Sequence, residues 1–126
     1  MMTNPFRDQE KFMRACDQTV EGFNQEQFNL YVKLIDEEFN DELKTAISNN
    51  DPVETLDALL DILVVTIGAI HSMGADGEGA WNEVMHTNLS KIDSVTGKVL
   101  KRDDGKILKP EGWTPPNLTT YLGNKL

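Results

Sequence analysis

From Pro52 to Ile70 the chain carries a helix-period pattern that is apolar on almost every side, through Leu56, Leu59, Leu60, Leu63, Val64, Ile67 and Ile70. A helix of that kind has to be buried, so the pattern predicts the central helix of an all-α fold. Asp51-Pro52 opens it, with an acidic N-cap, a proline at the first helical position and Glu54 in a capping-box-like place. Its longest apolar run, 58–70, is broken by Asp61 and is too short to span a membrane. Asp57 and Asp61 lie four apart on one face, among leucines. A buried unpaired carboxylate costs about several kcal/mol, and aspartate is a mediocre helix former. Either a base or a metal ion is therefore expected to compensate.

The rest of the chain reads as further helices around this one. Asn4-Pro5 opens a first helix whose Phe12, Cys16 and Val20 recur every four residues, to about Glu21, before Gly22 interrupts it. A second helix starts near Asn24 or Gln25 and ends by Asn49-Asn50, with Phe28, Tyr31, Ile35, Phe39 and Ala46 as its apolar stripe. A loop over 73–77 precedes a fourth helix, about 79–92, with Trp81, Val84, Met85 and Asn88 on one side and Trp81 read as core. Segments 97–101 and 106–109 flank Asp104-Gly105 as a small hairpin. A proline-bearing tail, anchored by Trp113, follows as an extended docked arm. The expectation is one all-α domain over residues 1–126: a bundle of about four helices with its helical core at about 5–92, and a small C-terminal hairpin and tail over 93–126. At 126 residues and 39% hydrophobic content the core is shallow, so the helices are expected to be shared across a homo-oligomer, a dimer or tetramer.

Charge narrows the function. A net charge of −9 disfavours binding to a nucleic-acid polymer. An acidic protein that handles phosphates needs cations to bridge the like charges. One cysteine, Cys16, permits no intramolecular disulfide and reads as a small core residue, which fits a reducing cytoplasm. No cationic and apolar signal segment stands at the N-terminus, and no membrane partner is expected. There is no P-loop, no Cys/His cluster for zinc and no nucleophile elbow, and His71 and His86 lack a ligand-like partner. A di-iron bundle would need Glu-x-x-His motifs, which are absent.

The second helix supplies Asp36-Glu37-Glu38-Phe39-Asn40-Asp41-Glu42. Spacings of three and four stack Glu38 with Asp41 and Glu42, and Glu37 with Asp41, although like charges so placed repel. The bases nearby, Lys33 and Lys44, cannot neutralise all these acids. A divalent cation can, and hard cations take oxygen ligands. A helical hairpin would bring Glu38, Asp41 or Glu42, Asp57 and Asp61 together on Mg²⁺, with Mn²⁺ as a substitute. Such a metal lowers the pKa of its water, and a nearby carboxylate accepts the proton. The competing reading is a non-enzymatic acidic helical protein, a DNA mimic or an inhibitor of a basic partner. Acids set inside an apolar helix argue against it, because a mimic displays its charges.

The segments 34–43, 57–61, 83–91, 104–109 and 113–118 resemble, in order, those of the all-α nucleoside triphosphate pyrophosphohydrolases, which include MazG, phosphoribosyl-ATP pyrophosphohydrolase and the dimeric dUTPases. The later segments look most like the phosphoribosyl-ATP-pyrophosphohydrolase-like branch of phages and bacteria. This resemblance implies Mg²⁺-dependent cleavage between the α and β phosphates of a nucleotide, a dNTP or one like phosphoribosyl-ATP. It implies Mg²⁺ ligation by Glu38, Asp41, Asp57 and Asp61, assisted by Glu37 or Glu42, with Glu37, Glu38 and Asp61 in the chemistry. Asn88 and Lys91 would contact the nucleotide, and Lys106 and Lys109 its phosphates. Two positions depart from the pattern. Asp41 stands beside Glu42 where one acid is usual, and Ala58 stands where a glutamate is usual. Asp57 substitutes one residue back, about 100° around the helix. The sequence leaves the base of the nucleotide open.

Overall fold

The computed structural model describes residues 4–123. The described chain is helical, and it divides into two compact units: residues 4–77 joined by Leu122 and Gly123, and Glu78–Tyr121. The division falls at the head of the last helix, so that helix groups with the hairpin and tail.

In the first unit, α1 spans Pro5–Ala15, and Asn4 Oδ1 caps it by accepting from Phe6 N at 2.9 Å. It ends earlier than its periodicity predicts. Asp17 takes a left-handed φ of 58°, and the Gln18 amide returns to the Met13 carbonyl at 2.9 Å. The expected stripe faces outward: Phe12 is 61% exposed and Cys16 is exposed, while Gln9 and Met13 are buried. Cys16 is therefore not a core residue.

The second helix, α2, is α-helical over Gln25–Glu37, π-helical over Glu38–Leu43, and α-helical again over Lys44–Ser48. Asn24 Oδ1 caps its start, and Asn50, at φ 51°, ends it. Tyr31 and Ala46 of the expected stripe are buried, whereas Phe39 is exposed beneath Lys44 Nζ, 4.9 Å from the ring centroid. The wider π winding takes roughly one more residue per turn. Leu43, not Phe39, is buried in this segment.

Asn49, Asn50 and Asp51 then reverse the chain into α3, Pro52–Ser72, where Asp51 Oδ1 accepts from Glu54 N at 3.0 Å. So short a connection makes α2 and α3 antiparallel neighbours. They meet tightly at Gly68: a Cβ there would lie 2.5 Å from Tyr31 Cδ1. That contact fixes the register. Two turns onward along α2 and two turns back along α3 bring Glu38 opposite Asp61. Around Tyr31 the core gathers Met13 and Ala69, with Val20, Phe28, Leu34, Ile35 and Val65 packed against them. Buried polar groups are matched. Gln27 Nε2 donates to Thr19 O at 2.6 Å and Ser72 Oγ at 2.9 Å, and among the described residues no buried side-chain nitrogen or oxygen lacks a partner.

Burial of α3 on every side does not occur in the single chain. Ala58, Ile67, Gly68 and Ala69 are covered by α1 and α2, but Leu56 stays 60% exposed and Leu60 53%. Two neighbouring helices can cover only part of a helix that is apolar all round.

The next helix, α4, spans Gly77–Leu89, in the second unit from Glu78 on, and ends before the predicted Ile92. Trp81 is 55% exposed rather than core. The hairpin closes with one antiparallel bridge, Lys101 to Ile107, and Leu108 N donates to Leu100 O at 2.8 Å. The tail docks on α4: Trp113 Nε1 donates to Thr87 O at 2.8 Å and Asn117 N to Glu83 Oε2 at 2.9 Å. Among the described residues no helix is long and apolar enough to cross a membrane.

Candidate active site

The facing sides of α2 and α3 carry the carboxylates. Glu38 is half-buried, and its carboxyl is held above the ordinary carboxylate range, first by burial and then by the charges of Asp61, Glu42, Asp57 and Glu37. Acids from both helices therefore bear on one side chain. None of these five forms an ion pair with a lysine or arginine among the described residues. The nearest base in sequence, Lys44, donates to Asn40 Oδ1 at 2.9 Å, while Asn40 Nδ2 donates to Asp36 Oδ1 at 2.6 Å. Asp36 and Lys44 are thus held in a ladder along the outer side of α2.

The burial expected for the α3 aspartates is corrected. Asp57 is exposed and Asp61 half-buried, because the leucines beside them are themselves open to solvent. Ala58 is buried, 3% exposed, so the position where the family pattern has a glutamate lies inside the helix packing. Asp57, one residue back, still adds its charge to the Glu38 environment.

The π turn separates the adjacent acids Asp41 and Glu42. In a turn wound this wide, four residues make nearly a full circle. Glu42 then stacks close over Glu38, and Asp41 rotates away. In agreement, Glu42 is among the charges that raise the Glu38 pKa and Asp41 is not. No local propensity announced the π turn. The available signal was the doubled acid itself, where the pattern has one. Among the described residues no three His, Cys, Asp or Glu side chains meet closely enough to cage a metal ion.

The remaining predicted residues belong to the second unit. Asn88 is exposed and accepts from Lys91 Nζ at 3.1 Å through its Oδ1. Lys91 and Lys109 both approach the Trp113 ring. Lys106 is engaged through its backbone, its amide donating to Asp104 Oδ1 at 3.1 Å in the hairpin turn.

The helical hairpin expected from the acidic segments, with unneutralised carboxylates of one helix set against those of the next, is thus present. The family model for phosphoribosyl-ATP pyrophosphohydrolase matches residues 7–88, and the chain belongs to that family, within the MazG-like all-α superfamily. No curated protein matches the chain. The match begins in α1, earlier than the resemblance read from the sequence, and stops at Asn88. It contains every acid on the facing sides of α2 and α3 and leaves Lys91, Lys106, Lys109 and Trp113 outside. Membership places the chain among pyrophosphohydrolases acting on nucleotides and disfavours the acidic-mimic reading.

Proposed function

We propose that the protein hydrolyses a nucleoside triphosphate, a dNTP or a nucleotide resembling phosphoribosyl-ATP, to the monophosphate and pyrophosphate with Mg²⁺. The observation that carries this is Glu38: half-buried, faced by acids of two helices and neutralised by no base. Such a donor set fits a divalent cation in charge and in its hard oxygen chemistry, and binding would draw the carboxylates closer together than the metal-free chain holds them. Glu38, Glu42, Asp57 and Asp61 would hold the metal, with Glu42 taking the place that the family pattern gives to position 41. Bound there, Mg²⁺ or Mn²⁺ supplies charge neutralisation for the phosphates and a more acidic water.

The chain's own residues do the rest. A carboxylate beside the metal set is placed to take a proton, so Glu37, with Glu38 next to it, accepts the proton of the attacking water. Water oxygen bonds to the α phosphorus, the bond from that phosphorus to the α–β bridging oxygen breaks, and pyrophosphate leaves with that oxygen. Asn88 and Lys91 contact the nucleotide, and Lys106 and Lys109 its phosphates.

The exposed apolar side of α3, with Leu56, Leu59, Leu60 and Leu63, is the surface on which a second copy of the chain packs, in a dimer or tetramer. The protein works in the reducing cytoplasm. A panel of nucleotides incubated with and without Mg²⁺, resolved by chromatography, tests the activity. Monophosphate and pyrophosphate are expected from at least one. Orthophosphate alone, or no metal-dependent turnover across the panel, overturns the proposal.

A further inference from the structure

The second unit holds a cluster that the family match does not reach. Lys91 lies just past the end of α4, Lys109 at the end of the hairpin, and Trp113 in the tail. Lys91 Nζ is 5.0 Å, and Lys109 Nζ 5.1 Å, from the centroid of the same indole ring. The ring is held in place: Trp113 Nε1 donates to Thr87 O at 2.8 Å, and the Trp113 amide to Pro110 O at 3.0 Å. Asn88 Oδ1 in turn holds Lys91 Nζ at 3.1 Å.

Two ammonium groups on one ring repel each other, and each cation–π contact at an exposed site offsets this by only ~0.5–1 kcal/mol. A carboxylate would be the simple neutraliser. The chain has 21 Asp and Glu against 12 Lys and Arg, yet neither lysine is ion-paired among the described residues. Two acids of the same segment are otherwise engaged, and among the described residues Asp103 and Glu111 form no ion pair with either lysine. Asp93 accepts from the Val95 and Thr96 amides at 2.7 and 3.0 Å, and Asp104 pairs with Arg102 at 2.5 Å. A protein of net charge −9 thus keeps two positive charges together, organised by a ring and an amide, without a protein anion to satisfy them. Lysine is a compact point charge that suits phosphate oxygens.

We propose that Trp113 is a positioning residue that yokes Lys91 and Lys109 into one anion-binding unit whose ligand is a polyphosphate chain. The cluster gives the two lysines, from opposite ends of the hairpin segment, one shared task. In assigning the ligand's source to the nucleotide this rests on the proposed hydrolysis, but anion binding itself needs no turnover.

The test is isothermal titration of the full chain with inorganic tripolyphosphate, without metal and at low ionic strength. Wild type should bind it with an affinity that falls as salt is raised. Lys91→Met and Lys109→Met should each weaken binding by about tenfold, as loss of a charge-assisted contact does. Trp113→Leu should weaken binding although both lysines remain, and Trp113→Phe, which keeps a ring, should restore part of it. In turnover assays Trp113→Leu should raise KM more than it lowers kcat. A Lys91→Met/Lys109→Met double variant that binds tripolyphosphate as wild type does overturns the inference. So does a Trp113→Leu protein that melts lower but binds unchanged. Tripolyphosphate binding that depends on the lysines and Trp113, in a protein without hydrolytic activity, leaves this inference standing and overturns the proposed function alone.

Discussion

The Tyr31 ring lies against Gly68 so closely that a Cβ on residue 68 would sit 2.5 Å from Tyr31 Cδ1 and 2.7 Å from Cζ. This contact draws α2 and α3 together near one end of the hairpin. Two turns along each helix, the same register sets Glu38 opposite Asp61. Packing in the core and crowding of charge at the surface are consequences of one geometric fit.

Gly68→Ala should therefore destabilise the protein. Overpacking costs about 1–3 kcal/mol, and the ring is too well buried to swing aside, so the ~1 kcal/mol that alanine gains in helix propensity should not recover it. Urea denaturation measures the difference. A variant as stable as wild type would show that the helices are not in this contact.

Tyr31 also sets a pH response. Burial pushes its hydroxyl pKa up, and the protonated hydroxyl donates to Gln18 Oε1. A native pKa above the unfolded value means that the folded state holds the proton more tightly. That stability is complete below about pH 10 and is lost as pH rises through the native value. Tyr31→Phe should flatten the alkaline loss of stability while costing about 1 kcal/mol at neutral pH for the hydrogen bond. Urea midpoints taken across the alkaline range check both effects, and an unchanged slope would count against them.

Asp61→Asn keeps the shape of the side chain and removes its charge. No base pairs with Asp61 among the described residues, so the variant should melt at or above wild type without metal, relieved of repulsion from Glu38. Its activity should fall by orders of magnitude. Full activity together with a large loss of apo stability would sink the metal-site reading.

Asp41→Asn and Glu42→Gln separate the adjacent acids. If the π turn stacks Glu42 over Glu38, Glu42→Gln should weaken Mn²⁺ binding by about tenfold or more, whereas Asp41→Asn should change it by less than about threefold. Mn²⁺ titration followed by electron paramagnetic resonance reads this without any turnover. The reverse order would return the ligand to position 41.

Leu60→Glu places a charge in the open apolar face of α3. Light scattering at micromolar concentration should show an assembly for wild type and a monomer for the variant. A monomeric wild type would show that this face is not covered by a second copy.

Much of the helical layout was legible without coordinates. Asn4-Pro5, Asn24 and Asp51-Pro52 begin their helices as their side chains require, because capping is settled within one turn of backbone. Periodicity alone misplaced Phe12, Cys16, Phe39 and Trp81, all exposed. The π turn from Glu38 changed the phase that the period assumed for Phe39, and the left-handed Asp17 left Cys16 outside the helix, while Phe12 and Trp81 lie in regular helix on sides that the chain does not cover. For the candidate site, the acids could be named from their spacing, but neither their exposure nor the Asp41 and Glu42 alternative could be read from it.

The sequence by itself determined the helix identities, their starts, the acidic elements and the family pattern, since these depend on residues within a few positions of one another. The tertiary structure alone decided which side of α3 is covered, that Glu38 faces Asp61, and that Lys91 and Lys109 share Trp113. Burial, charge crowding and ring contacts depend on distances between segments far apart in the chain, and those distances exist only once the helices have packed.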